Sequence, residues 1–325
     1  RNMAEVTKYA VASAVQAVED EKFSEFDPTR VGTYIGNGIG GFEIIEESVI
    51  KMHQSGPRGV APMTIPKMIT NEAGGNIAIK FGIHGPCITT ATACASGTDA
   101  IGEAFLAVKH GVVDAAITGG TEGAICQFGF AGFCKIQALS TRYNDQPQEA
   151  CRPFDTDRDG FIMGEGAAVF VIEELSHALR RNAKIYAEIV GYSATCDAYH
   201  LTAPDPEGTG AARAMTQALA MAGMQPEQID YINAHGTSTP TNDPIETAAI
   251  KTAFGDHAYK LKVSSTKSMT SHLVGAAGAL EGLLSVMAIQ DQFFPATINL
   301  QNADPSCDLD YVANTGMHGK IDAVL

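Results

Sequence analysis

Cys94 lies in the run T-A-T-A-C-A-S-G-T-D-A, where small and β-branched residues give way to a helical pattern. A cysteine at such a strand-to-helix corner meets unpaired N–H groups and the positive end of the helix dipole, which favour thiolate over thiol and make a nucleophile near neutral pH. The second half supplies partners of another kind. His235 follows an apolar strand pattern in N-A-H-G-T-S-T-P, and S-S-T-K-S-M-T-S-H places Lys267 and His272 after the next such pattern. Carboxyl ends of strands are the usual sites of chemistry in α/β proteins. Taken singly, each of these residues reads first as structural, a histidine satisfied in a core or a solvated lysine.

The elements that must carry these groups follow from periodicity. Apolar residues at Val6, Ala10, Val11, Ala14, Val15 and Val18 predict a helix over residues 3–20. Strands are expected at 31–35, 87–93, 115–118 and 167–172, the last three of them buried, and a helix over 96–110 ending at Gly111. After a polar stretch at 173–184 the order recurs: strand 187–192, helix 209–222, strand 229–234, helix 244–254, strand 262–265, helix 276–290. The alternation implies α/β layers with a largely parallel centre, in two halves, 1–184 and 185–325. The recurrence suggests an internal duplication, although the halves do not align by identity.

Composition narrows the function. Lys+Arg 22 against Asp+Glu 37 gives 22 − 37 = −15, and no basic run interleaves with aromatics, so nucleic acid is not an expected partner. Seven cysteines without a C-x-x-C pair argue for a reducing compartment, and no apolar stretch approaches the roughly 18 to 20 residues of a membrane span. A cytoplasmic protein is expected, unless a targeting segment lies upstream of residue 1. Two motifs mislead. Gly36-Asn37-Gly38-Ile39-Gly40-Gly41 satisfies G-x-G-x-x-G, but the region about 20 residues on, Met52 to Gly59, reads as a loop without the acidic strand end a nicotinamide site needs. Asp155 to Gly160 imitates a calcium loop whose twelfth position is Gly166 where a glutamate is required.

Several runs together resemble the β-ketoacyl-[acyl-carrier-protein] synthases, most closely the synthase II branch of type II fatty acid synthesis. They are T-A-C-A-S-G at Cys94, C-R-P-F-D-x-D-R-D-G-F at 151–161, N-A-H-G-T-S-T-P at His235, S-S-T-K-S-M-T-x-H ending at His272, and G-A-A-G-A-L-E after it. The resemblance implies a thiolase-like fold, two similar α/β halves with central mixed sheets in an α-β-α-β-α layering. It implies that Cys94 accepts an acyl chain from acyl carrier protein, and that His235 and His272 bind the malonyl thioester carbonyl and stabilise the enolate left by decarboxylation. Lys267 would set charge and histidine protonation, pairing with Glu281, with Thr237 and Thr239 supporting. Neither cofactor nor metal is implied, and a homodimer is, with strand 87–93 as its pairing element. Acidic carrier protein would meet a local basic patch, the candidates being Lys135, Arg142, Arg1 and Lys8. Ser271 departs from the family's usual glycine, a small change that could crowd or reorient His272; Gln137 stands where relatives often carry arginine. Alternatives are a polyketide-type ketosynthase and a non-catalytic chain-length partner subunit, which typically lacks the nucleophile. The resemblance also leads one to expect further pieces at both ends, including a glycine-rich loop carrying a gating phenylalanine and the second oxyanion donor beside the Cys94 N–H.

Overall fold

The computed structural model describes residues 3–21 and 26–325, which form two compact units. The units do not follow the two expected halves end to end. Residues 1–135, 164–185 and 273–282 belong to the first, and 136–163, 186–272 and 283–325 to the second. The expected division near residue 184 is therefore one of several crossings.

In the first unit the order is α1 (Glu5–Glu21), β1 (Val31–Gly36), α2 (Phe42–Ser55), α3 (Thr64–Met68), α4 (Glu72–Phe81), β2 (Cys87–Thr90), α5 (Ser96–Lys109), β3 (Ala115–Glu122), α6 (Gln127–Lys135), β4 (Gly166–Glu173) and α7 (Leu175–Arg180). The sheet runs β2-β1-β3-β4, with β1 parallel to β2 and β3, and β4 antiparallel to β3. Every residue of β1 and β3 is buried, as expected of central strands covered on both faces. Alternate positions sort between the faces: Val31, Ile35, Ala115 and Ile117 pack with Ala10, Ala14 and Ile77 of α1 and α4, while Tyr34 and Ala116 meet Ala104 of α5. The expectation of a buried strand at 87–93 fails in two respects. β2 stops at Thr90, and it is an edge with β1 on one side only, leaving Cys87 exposed and Ile88 47% exposed.

The second unit contains α8 (Thr209–Ala222), β5 (Tyr231–Asn233), α9 (Asn242–Phe254), β6 (Lys262–Ser264), α10 (Lys267–Thr270), the end of α11 (Ala277–Asp291), β7 (Phe293–Phe294) and β8 (Met317–His318). β5 and β6 are parallel, and a further parallel bridge joins Tyr231 to Val324. The core beneath them gathers Phe154, Ile232, Ile250, Phe254, Leu261, Val263 and Tyr311. Residues 187–192 form no strand. Ile189 and Val190 remain 37% and 41% exposed, and β propensity yields a strand only where a neighbour takes up the backbone N–H and C=O groups.

Candidate active site

In the first unit, Cys94 occupies a 3-10 turn, Ala93–Ala95, that runs directly into α5. The turn starts from strain, since Ala93 sits at φ 51, in the left-handed region that alanine rarely enters. Ser96 locks it: its Oγ accepts the Thr92 N–H at 2.9 Å and donates to the Ala93 carbonyl at 2.7 Å. Thr92 Oγ1 donates to Asp99 Oδ2 at 2.5 Å, tying the approach to the first turn of the helix. Gly36 is what lets β1 come this close, because a Cβ there would stand 2.1 Å from the Ser96 carbonyl oxygen. The G-x-G-x-x-G run is thus packing for the cysteine's turn; Gly40, at φ 83, receives the Asn37 side chain on its N–H, and Gly38 N–H goes to Glu122. Cys94 is partly buried, at the N-terminal side of a helix whose first N–H groups favour an anion.

In the second unit, β5 and β6 deliver His235 and Lys267 from adjacent parallel strands, and the chain after α10 returns with His272. Lys267 Nζ lies 3.3 Å from His235 Nδ1, and the two imidazoles meet edge to face, centroids 5.3 Å apart at 88°. Lys267 and His272 are almost wholly buried. Burial, then the neighbouring Lys267 charge, push both histidines well below the ordinary imidazole range, so both are neutral at pH 7 and each carries one N–H to donate. His272 is oriented through its backbone, which donates to the Ile162 carbonyl at 2.8 Å, and through the edge of Phe161.

Side chains that sequence reasoning passed over hold these loops. Glu246, in α9, accepts the N–H of His235 at 2.6 Å and of Gly236 at 2.7 Å. Ser265 Oγ donates to the Gly236 carbonyl at 2.7 Å, and the Thr237 and Thr239 hydroxyls share a bond at 2.9 Å while Thr239 also accepts the Asn242 N–H. Beneath them Arg158 donates to the carbonyls of Thr239 and Pro240 and to Asp304, and lies 3.7 Å from Asp243, a carboxyl that burial pushes up to about 6. The acidic run that imitated a calcium loop belongs to this support. Asp155 holds Arg152 and the amides of Asp157, Gln301 and Asn302, and Asp159 holds Ser140, Thr141 and Arg142. The signal for Glu246 and Arg158 was their place in or beside the histidine and C-R-P-F-D runs, where charged residues ordinarily read as solvated.

The structure therefore brings together His235, Lys267 and His272, with Thr237 and Thr239 in the same loop, and places Cys94 and Glu281 in the first unit. The basic-patch candidates divide too. Lys135 and Arg142 are exposed, Lys8 pairs with Glu5 on its own helix, and Arg1 lies outside the described residues. Among the described residues no helix is long and apolar enough to cross a membrane, and none of the seven cysteines is in a disulfide.

The N-terminal domain of β-ketoacyl synthases matches residues 1–178, and the C-terminal domain of the same enzymes matches 186–301. The chain belongs to the β-ketoacyl synthase family. Among its relatives is the 3-oxoacyl-[acyl-carrier-protein] synthase 2 of Coxiella burnetii, 53% identical over 98% of this chain and 77% of that protein. The synthase 2 of Synechocystis sp. is 53% identical over 94% of the chain and 73% of its own length. Among solved structures, a type II PKS acyl-carrier protein in complex with its ketosynthase bound to the hexaketide superposes with TM-score 0.96 at 32% identity, covering 100% of this chain and 81% of that one. A β-ketoacyl synthase from Burkholderia phymatum gives TM-score 0.91 at 35% identity, covering 99% and 78%. The α/β fold with a mixed central sheet is that of the thiolase-like ketosynthases. The departure at Ser271 has a backbone cost: it sits at φ 63, where glycine costs nothing and serine is strained, so a burden falls on the main chain entering His272.

Proposed function

We propose that the protein is a 3-oxoacyl-[acyl-carrier-protein] synthase of fatty acid elongation. Cys94 takes an acyl chain from acyl carrier protein as a thioester. His235 and His272, neutral at working pH, donate N–H to the thioester carbonyl of malonyl carrier protein; its carboxylate leaves as carbon dioxide and the electron pair passes into an enolate. The enolate carbon attacks the Cys94 thioester carbonyl, the new C–C bond forms, and the S–C bond to Cys94 breaks to release 3-oxoacyl carrier protein. Lys267, beside His235, keeps that imidazole from taking up a proton, and Thr237, Thr239 and Glu281 support the arrangement.

The observation that carries this reading is the 53% identity to synthase 2 over 98% of the chain, joined to a cysteine at a helix start and a pair of neutral histidines, one buried and one partly so. A polyketide-type ketosynthase is the second reading, favoured by the likeness to the ketosynthase of the type II PKS complex, at the lower identity of 32%. Carrier protein would dock near exposed Lys135 and Arg142, and a homodimer would pair through the open edge of β2. The thiols, none of them in a disulfide, fit a cytoplasmic setting.

Incubation with acyl and malonyl carrier protein tests the proposal by carbon dioxide release and the length of the product. A single two-carbon extension of a saturated primer, ending at 3-oxoacyl carrier protein, is expected; poly-β-keto products from repeated condensation would favour the second reading, and no condensation would end both. Limiting iodoacetamide with peptide mapping tests the nucleophile. Cys94 is expected to label first, because burial raises the thiols of Cys126, Cys307 and, to about 12, Cys151. Labelling of Cys126, Cys134 or Cys151 before Cys94 would overturn the assignment.

A further inference from the structure

Glu122 ends β3 with its side chain fully buried, and the reaction just described has no use for it. Its Oε2 accepts the N–H of Gly38 and that of Gly275, each at 3.1 Å, and its Oε1 is buried with no hydrogen-bond partner. Gly38 lies in the turn after β1, and Gly275 in a 3-10 turn, Val274–Ala276, ahead of α11. One oxygen thus joins two turns far apart in sequence, both within the first unit.

Both turns lie against the segment that carries Cys94. A Cβ on Gly38 would stand 3.5 Å from the Ala93 carbonyl oxygen, and one on Gly97 would stand 3.1 Å from the Gly275 carbonyl oxygen. The turns also touch each other, a Cβ on Gly275 falling 2.5 Å from the Gly38 nitrogen. Strain is concentrated here. Ala93 holds φ 51 and Val274 holds φ 47, the latter a β-branched residue for which this region is a true outlier. Such conformations persist only where the surroundings over-determine them. A buried carboxyl is costly in itself, and burial raises this one to about 7 against the pull of the surrounding amides.

From this geometry we infer that Glu122 is a positioning residue for Cys94: its Oε2 ties the Gly38 turn to the Val274–Ala276 turn and so holds the strained Ala93–Ala95 turn that presents the thiol. The inference rests on Cys94 being the nucleophile, and the test separates the two. The readout is the ratio of Cys94 to Cys134 alkylation by limiting iodoacetamide, with buried Cys151 reporting any unfolding. A parent chain in which Cys94 is not preferred defeats the reading of the nucleophile, whatever the variants do. Given that preference, Glu122→Asp, one methylene short of both amides, is expected to lower the ratio about tenfold with Cys151 still protected. Glu122→Gln keeps an oxygen for both amides and is expected to stay within about threefold of the parent. An unchanged ratio in a folded Asp variant overturns the inference. So does a Gln variant that loses the ratio or exposes Cys151, and Gln alone decides if the Asp variant unfolds.

Discussion

The cysteine's turn and the histidine loops reach rigidity by opposite means. Around Cys94 the chain is held by close approach: Gly36 against the Ser96 carbonyl, and alanine and valine at positive φ. Around His235 it is held by hydrogen bonds, the amides of His235 and Gly236 and the carbonyls of Gly236, Thr239 and Pro240 each meeting a side chain of Glu246, Ser265 or Arg158. A nucleophile must stay accessible and reactive, and its scaffold acts chiefly through backbone shape, with the hydrogen bonds of Ser96 and Asp99 pinning the turn. Donors that stabilise a developing charge must not reorient during the reaction, and a satisfied hydrogen-bond network supplies that stiffness.

Substitutions can break this contrast, the largest effect coming from the hydrogen-bonded side. Arg158→Met strips a buried cation from Asp243, Asp304 and two carbonyls, and is expected to cost about 3 to 5 kcal/mol in denaturant unfolding, because the partners stay buried. A loss under about 1 kcal/mol would mean the network is ornamental. His235→Ala and His272→Ala should each slow carbon dioxide release by about 10² to 10³, or about 2.7 to 4 kcal/mol, while acylation of Cys94 survives better. Release within about threefold of the parent would deny the histidines their role. On the close-approach side, Gly36→Ala forces β1 away from Ser96, with an expected cost of about 1 to 3 kcal/mol and a matching loss of Cys94 alkylation. Full stability with full labelling would show that the turn does not depend on contact.

The smallest effect expected is one of pH, and its sign follows from the depressed histidines. Folded imidazoles stay neutral well below the 6.5 of the unfolded chain, so acid must go past that value before they protonate and set further positive charge against Lys267. The acidic limb of carbon dioxide release on pre-acylated protein should therefore have its midpoint under 6.5. A midpoint at or above that value would place the two rings in a wetter or more anionic setting than the structure gives them.

Much of this was legible in the residues, and the gaps have physical causes. The helix expected at 209–222 is α8 to the residue, since glycines bound it on both sides and its apolar spacing is regular. Cys94, His235, Lys267 and His272 announced themselves through motif and strand-end placement. Whether a strand is central or an edge depends on partners distant in the chain, so β2 read as buried, and 187–192, with its β-branched Ile189 and Val190, read as a strand. Glu122 and Glu246 were invisible for a related reason. A glutamate is ordinarily a surface residue, and only the folded chain shows two backbone amides converging on each.

The interleaving of the two units governs how the chain can fold. The sheet behind Cys94 is laid down by residue 173, yet its unit is closed by residues 273–282, so the support at Gly275 arrives about a hundred residues later in synthesis. The nascent first half must wait with its parallel strands formed and its strained turn unbuttressed, a state of high contact order that folds slowly and exposes apolar surface meanwhile. Because residues 273–282 belong to the first unit and 136–163 to the second, separating the chain near residue 184 is expected to yield two pieces that each lack part of their own core.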